Sequence, residues 1–193
     1  VVIGVTGTDG KTTTVNLIYH ILRTAGVRVG MISTVKAVIG EEELDTGFHV
    51  TTPEAPDIQR YLARMRDAGL SHVVLETTSH GLAQQRVASV DYDLAAVTNV
   101  THEHLDYHRT YQGYLQAKGL LFEALNSPDP GAKGIEKLAV LNMDDDSYTY
   151  LRGVTQARKL SYSLSESGDM WATEIENTPN GIRFTVHGLG LSL

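Results

Sequence analysis

Val1-Val2-Ile3-Gly4-Val5-Thr6-Gly7-Thr8-Asp9-Gly10-Lys11-Thr12-Thr13-Thr14 is the stretch on which the reading of the fold turns. Its first five residues are mostly apolar and predict a buried strand. A glycine-rich turn follows, then a helix from about Thr12. Strand, glycine turn and helix together form the context of a phosphate-binding loop. Gly7 and Gly10 let the backbone take positive φ and come close to an anion. Loop N–H groups and the helix N-terminus supply donors and positive potential. Lys11 adds a full charge, and the Thr12 hydroxyl can ligate Mg²⁺. The spacing is tighter than the general G-x-x-x-x-G-K-[ST] pattern, because Val5 stands where its first glycine would fall.

The chain has 193 residues, enough for one domain with a sizeable core. A net charge of −7 without a long basic run argues against nucleic acid and anionic membranes as partners. The absence of cysteine excludes disulfides, thiolate zinc sites and a cysteine nucleophile, and suits a cytoplasmic protein. No apolar run reaches membrane-spanning length. Val1 already lies in the first expected strand, and Gly188 to Leu193 reads like a trimmed strand, so the chain is expected to be a piece of a longer one.

Working outward, Val15, Ile18, Ile21 and Leu22 continue the first helix, and Gly26 ends it. Val27 to Ile39 reads as strand, with a hairpin turn at Gly40-Glu41. Thr51-Thr52-Pro53-Glu54 opens the next helix, with threonine as N-cap and Pro53 at the first helical position. Ile58, Tyr61, Leu62 and Met65 give its stripe, and Gly69 closes it. His72 to Thr77 and Leu94 to Asn99 are apolar strands with polar ends. Tyr111 to Leu125 is helical, Asn126 to Glu136 is a loop, and Leu138 to Asn142 is a strand followed by three aspartates. Arg158 to Ser163, Met170 to Ile175 and Ile182 to Val186 read as an antiparallel extension. Alternating strands and helices imply an α/β fold with a mostly parallel sheet flanked by helices. Ligands then sit beyond the carboxyl ends of the strands, where Thr6, Glu76 and Asn99 would gather around the loop.

Glu76 would serve Mg²⁺ as the acidic partner of Thr12. Asn99 to His108 is dense in ligand types and carries three readings. One is a zinc site from His102, His104 and His108. The second is a Mg²⁺ and substrate loop with His104 as ligand. The third is a helix start capped by Asp106. Lys118 lies on an apolar helical stripe with Leu115, Leu121 and Phe122. It is either a snorkelling lysine or a desolvated amine, and desolvation would lower its pKa and free it to react.

These stretches occur in one order: the opening loop, Thr51-Thr52-Pro53, Glu76-Thr77-Thr78-Ser79-His80-Gly81-Leu82, Thr98 to His108, Tyr114-x-x-Ala117-Lys118-x-x-x-Phe122, and Leu141-Asn142-x-Asp144-Asp145. The whole resembles the central ATPase domain of the Mur ligases. It is most similar to the MurE branch, which adds the third stem residue to UDP-N-acetylmuramoyl-dipeptide in peptidoglycan synthesis. The resemblance implies a P-loop NTPase-like core over residues 1–193, with the N-terminal uridine-binding and C-terminal amino-acid-binding domains outside it. It implies ATP and Mg²⁺, a UDP-MurNAc-peptide and an amino acid as substrates, a monomer, and an acyl-phosphate route.

By the same resemblance, Gly7, Thr8, Asp9, Gly10, Lys11, Thr12 and Thr13 hold the nucleotide phosphates, and Asn142 lies on the adenine side. Lys11, Lys118 and His104 are expected to be catalytic. Thr12, Glu76, His104 and a carboxylated Lys118 are expected around the metal. Thr51, Thr52, Thr78, Gln84 and Arg86 are expected on the UDP-substrate. Three positions depart from the family pattern: Asp9 for asparagine, Glu103 for aspartate and Thr78 for serine. Asp9 is expected to point away or cap the turn. Alternatives are a folylpolyglutamate-type or cyanophycin-type ligase, and a non-catalytic nucleotide-binding scaffold.

Overall fold

The computed structural model describes residues 1–46, 52–101, 105–126, 133–166, 168–179 and 181–192. In chain order the elements are β1 (Val2–Thr6), α1 (Lys11–Thr24), β2 (Val29–Ile32), β3 (Lys36–Ile39), β4 (Glu42–Asp45), α2 (Ala55–Asp67), β5 (His72–Glu76), α3 (Ser79–Ala83) and β6 (Leu94–Val97). They continue with α4 (Leu105–His108), α5 (Tyr111–Glu123), a 3₁₀ turn (Ala124–Asn126), β7 (Leu138–Asn142), α6 (Tyr148–Val154), β8 (Arg158–Ser163), β9 (Met170–Thr178), β10 (Gly181–Gly188) and β11 (Leu191–Ser192).

The strands form one sheet in the order β11-β10-β9-β8-β7-β6-β1-β5-β2-β3-β4. The central run from β8 through β7, β6, β1 and β5 to β2 is parallel. Alternate residues of each strand point to opposite faces, and both faces of the centre are covered, so β1, β2, β6 and β7 and the middle of β5 are largely apolar. One face packs Ile3, Val5, Met31 and Val74 under Val15, Ile18 and Leu22 of α1. The other packs Leu75, Tyr92 and Leu141 against Ile58, Met65, Leu121, Phe122 and Leu151 from α2, α5 and α6. Gly4 is required on that second face, where an added Cβ would come within 2.7 Å of the Tyr92 ring.

Several sequence expectations are corrected. Val27 to Ile39 is not one strand. It breaks at Ser33, whose hydroxyl accepts the Val35 and Lys36 N–H groups and turns the chain back as antiparallel β3. The hairpin at Gly40-Glu41 forms as expected, between β3 and β4. The second helix starts at Ala55 with Glu54 as N-cap, and Pro56 rather than Pro53 occupies its first turn. Ile21 is 62% exposed and leaves the α1 stripe. Asp106 lies inside α4 and is not its cap. The strand from Arg158 to Ser163 pairs parallel with β7, so it belongs to the main sheet, and the antiparallel part begins where β10 meets β9. Among the described residues no helix is long and apolar enough to cross a membrane.

Candidate active site

The loop between β1 and α1 lies at the carboxyl edge of the parallel strands. Gly7 has φ +149°, and an added Cβ would stand 1.8 Å from the Thr98 Oγ1, so this close approach needs glycine. Gly10 is left-handed with φ 77° and precedes the helix without a side-chain cap. The first amides of α1 therefore face outward without an internal acceptor from a cap, as an anion site requires. Asp9 is exposed, in keeping with a side chain that points away, and it does not cap α1.

The end of β6 braces the loop from the side. The Thr8 N–H donates to the Asn99 carbonyl at 2.7 Å, and the Asp9 N–H to Asn99 Oδ1 at 3.0 Å. The Thr98 hydroxyl donates to the Asp9 carbonyl at 2.7 Å. Inside the loop, Lys11 Nζ donates to the Thr8 carbonyl at 2.7 Å, so the ammonium lies folded over the turn. Thr13 is exposed on the first turn of α1.

Glu76, at the end of the neighbouring β5, is 1% exposed. Its carboxylate accepts the Thr12 hydroxyl at 2.9 and 3.0 Å and the Thr34 N–H at 3.1 Å. No ion pair to it is found among the described residues, and no group of three or more His, Asp or Glu side chains gathers there either. A buried carboxylate beside a hydroxyl fits a hard divalent cation that draws its other oxygens from phosphate and water. The Thr34 contact is invisible in sequence, because it runs through a backbone amide.

Lys118 reaches the same loop from α5. It is 1% exposed, donates to the Gly7 carbonyl at 2.5 Å and lies 4.3 Å over the Tyr114 ring. The snorkelling reading is thereby replaced by a buried amine at the phosphate loop. Tyr114 OH stands 3.2 Å from Thr8 Oγ1. Asn142, at the end of β7, donates to the Thr98 carbonyl at 2.8 Å and accepts the Asp144 N–H. Beside it, Tyr162 OH donates to the Val97 and Thr98 carbonyls. Burial first, then the Asp145 and Asp144 charges, push that phenol up to about 12.

A second cluster forms around α3. Thr52 is buried, and its hydroxyl lies 2.8 Å from that of Thr78. Thr78 caps α3 by accepting the Gly81 N–H. Arg86 donates to the Thr52 carbonyl at 2.7 Å and pairs with Glu54 at 3.0 Å, while its Nε is buried without a partner. Gln84 is exposed and donates to Tyr107 OH. His108 Nε2 lies 3.0 Å from Ser79 Oγ. Thr51, His102, Glu103 and His104 lie outside the described residues, and with them most of the zinc reading and the expected imidazole of the metal site.

Residues 5–191 match the Mur ligase middle domain. The chain belongs to that family. It is 43% identical over 189 residues to the UDP-N-acetylmuramoyl-L-alanyl-D-glutamate–2,6-diaminopimelate ligase of Geobacillus thermodenitrificans, covering 96% of this chain and 38% of that protein. It is 39% identical over 191 residues to the UDP-N-acetylmuramyl-tripeptide synthetase of a Roseiflexus species, again covering 96% and 38%. A solved structure of a UDP-N-acetylmuramoyl-L-alanyl-D-glutamate–2,6-diaminopimelate ligase matches all of this chain and 38% of its own, with a TM-score of 0.85 at 28% identity. The chain thus spans less than two fifths of the length of these relatives.

Proposed function

We propose that residues 1–193 form the ATP-binding middle domain of a cytoplasmic ligase that joins a third amino acid to UDP-N-acetylmuramoyl-dipeptide. The observation that carries this reading is the meeting of Thr12, Glu76 and Lys118 at one glycine loop, on a chain whose relatives bear the names of such ligases. The chemistry is phosphoryl transfer from ATP to a carboxylate, then displacement of phosphate by an amine. Both steps crowd negative charge, so electrostatic stabilisation is the main task of the protein.

Each expected residue has a part in this. Gly7, Thr8, Asp9, Gly10 and Thr13 shape the loop and helix start that take the phosphates. Lys11 turns from the Thr8 carbonyl to the phosphate oxygens. Thr12, Glu76 and, by the family resemblance, His104 would hold Mg²⁺, which would neutralise phosphate charge. Asn142 marks the adenine side of the loop. Carboxylation of the Lys118 amine by CO₂ releases a proton and leaves one N–H, which still serves the Gly7 carbonyl. The new carboxylate can then orient the metal. Thr51, Thr52, Thr78, Gln84 and Arg86 receive the UDP-substrate. The orphaned Arg86 Nε supports this placement, since a buried donor without an acceptor costs about 1–3 kcal/mol until one arrives.

The test is phosphate release by the full-length protein when ATP, UDP-N-acetylmuramoyl-dipeptide and a diamino acid are supplied together. Turnover should require all three, and Lys118→Ala should lower kcat by about 100-fold or more while ADP still binds. Turnover with a folate or another acid, but not with the muramoyl-dipeptide, would refute the assignment.

A further inference from the structure

The acceptor cluster around α3 and the phosphate loop belong to different strands, yet the reaction needs them in fixed register. We infer that His108 is the positioning residue that ties one to the other, an inference that rests on the ligase reading above. The imidazole sits between the two groups. On one side its Nε2 lies 3.0 Å from the hydroxyl of Ser79, which is 2% exposed. Ser79 follows Thr78 directly, and Thr78 carries the bonds to Thr52 and to the start of α3. On the other side the ring packs against Tyr114 with centroids 5.3 Å apart. Tyr114 OH reaches Thr8 Oγ1 in the phosphate loop, and that oxygen also accepts the Thr101 N–H at 2.9 Å. Tyr107 at 4.8 Å and His80 at 5.3 Å close the aromatic wall around the imidazole.

The backbone is built to hold the ring there. Arg109 has φ 64°, an uncommon value for a residue with a long side chain. The Thr110 N–H turns back onto the His108 carbonyl at 2.7 Å. Gly113 leaves room for that carbonyl, which an added Cβ would approach to 2.7 Å. Strained backbone of this kind persists where the surroundings over-determine it, and it clusters at functional sites. A side chain present only to fill space would need neither the turn nor the directed hydrogen bond to a buried hydroxyl.

Steady-state kinetics of the full-length ligase with His108→Phe, His108→Gln, Ser79→Ala and the double variant His108→Phe/Ser79→Ala test this. Phenylalanine keeps the ring and loses the hydrogen bond; glutamine places an amide nitrogen near the position of Nε2. His108→Phe should lower kcat about 10- to 100-fold, the scale of a misaligned reactant pair, with ADP affinity within about twofold of wild type. His108→Gln should regain most of the loss. The double variant should be no worse than the more impaired single one, because both remove the same contact. Should His108→Phe unfold, the comparison of His108→Gln with Ser79→Ala carries the test through the same split between kcat and ADP affinity. Wild-type kinetics in His108→Phe, or additive losses in the double variant, would overturn the inference and leave the ligase reading intact. A wild-type protein that does not ligate would remove the ligase reading itself.

Discussion

At the scale of single residues, two positions govern the candidate nucleotide site by opposite means. Gly7 acts by what it lacks. Its φ and the nearness of Thr98 leave no place for a methyl group, so Gly7→Ala must displace the loop or the end of β6. Calorimetry with ADP and Mg²⁺ should then find binding lost, while circular dichroism keeps its helical signal. Retained affinity would mean that the loop does not hold the nucleotide in this conformation. Lys11 acts by its charge. Its ammonium rests on the Thr8 carbonyl, a contact inside the loop whose loss costs the fold little. Lys11→Ala should weaken ADP about tenfold or more, the scale of one charge-assisted contact or more, and change the melting temperature little. A large fall in melting temperature with unchanged affinity would assign the lysine a structural role instead.

At the scale of elements, α3 is a short helix whose start is held by side chains rather than by length. Thr78 gives the cap to Gly81 and shares a hydroxyl contact with Thr52. Gly81 packs so tightly on Thr52 that an added Cβ would stand 2.8 Å from its side chain. Thr78→Ala should therefore cost about 1 kcal/mol in stability, as cap removal does elsewhere, read from denaturant midpoints. The same variant should raise KM for the UDP-substrate more than KM for ATP, since the phosphate loop stays untouched. Thr78→Ser, which restores the hydroxyl, should recover both. Equal effects on the two KM values would deny α3 a part in substrate choice.

At the scale of the molecule, the carboxyl edge of the sheet carries the candidate chemistry, and the opposite edge carries an ion network. Asp93 is 1% exposed and accepts the Val2 N–H, Lys133 and Lys137. Burial alone would raise its pKa, but these three donors outweigh burial and hold it below the usual carboxylate range. Asp91 is also lowered, chiefly by its hydrogen bond to Lys137. For Lys137 burial works against the charge, the two aspartates outweigh it, and its pKa rises. The sign follows. A depressed carboxylate stabilises the fold at any pH above its unfolded value, near 3.9, and that contribution is lost as pH falls through the lower folded value. The lysine contribution is present below its unfolded value and is lost as pH rises through the raised one. Asp93→Asn should lower stability near neutrality by about 3 kcal/mol, because it leaves buried donors and a buried cation underpaired. It should also flatten the acid limb of the stability profile. An unchanged acid limb would place the titrating groups elsewhere.

Much of this was legible before any coordinates. The opening loop is readable because strand, glycines and helix are neighbours in sequence, and Glu76 and Lys118 stand out as polar residues in apolar elements. The break at Ser33 was not legible, since β-branched residues suit one long strand as well as two short ones. The parallel pairing of β8 was hidden for a similar reason: alternation sets which face a residue takes and says nothing about the direction of its partner. The Thr52 to Thr78 contact, the orphaned Arg86 Nε and the His108 to Ser79 contact join different elements across intervals that no local rule spans.

The sequence by itself determined the inventory: a phosphate-type loop, a carboxylate at a strand end, a lysine on an apolar helical stripe, and the order in which they arrive. Those are local matters, decided by backbone periodicity and turn chemistry within a few residues. Only the tertiary structure decided that they meet. Strand order in the sheet follows from burying both of its faces under helices, and that order brings residues 64 and 111 positions apart onto one loop.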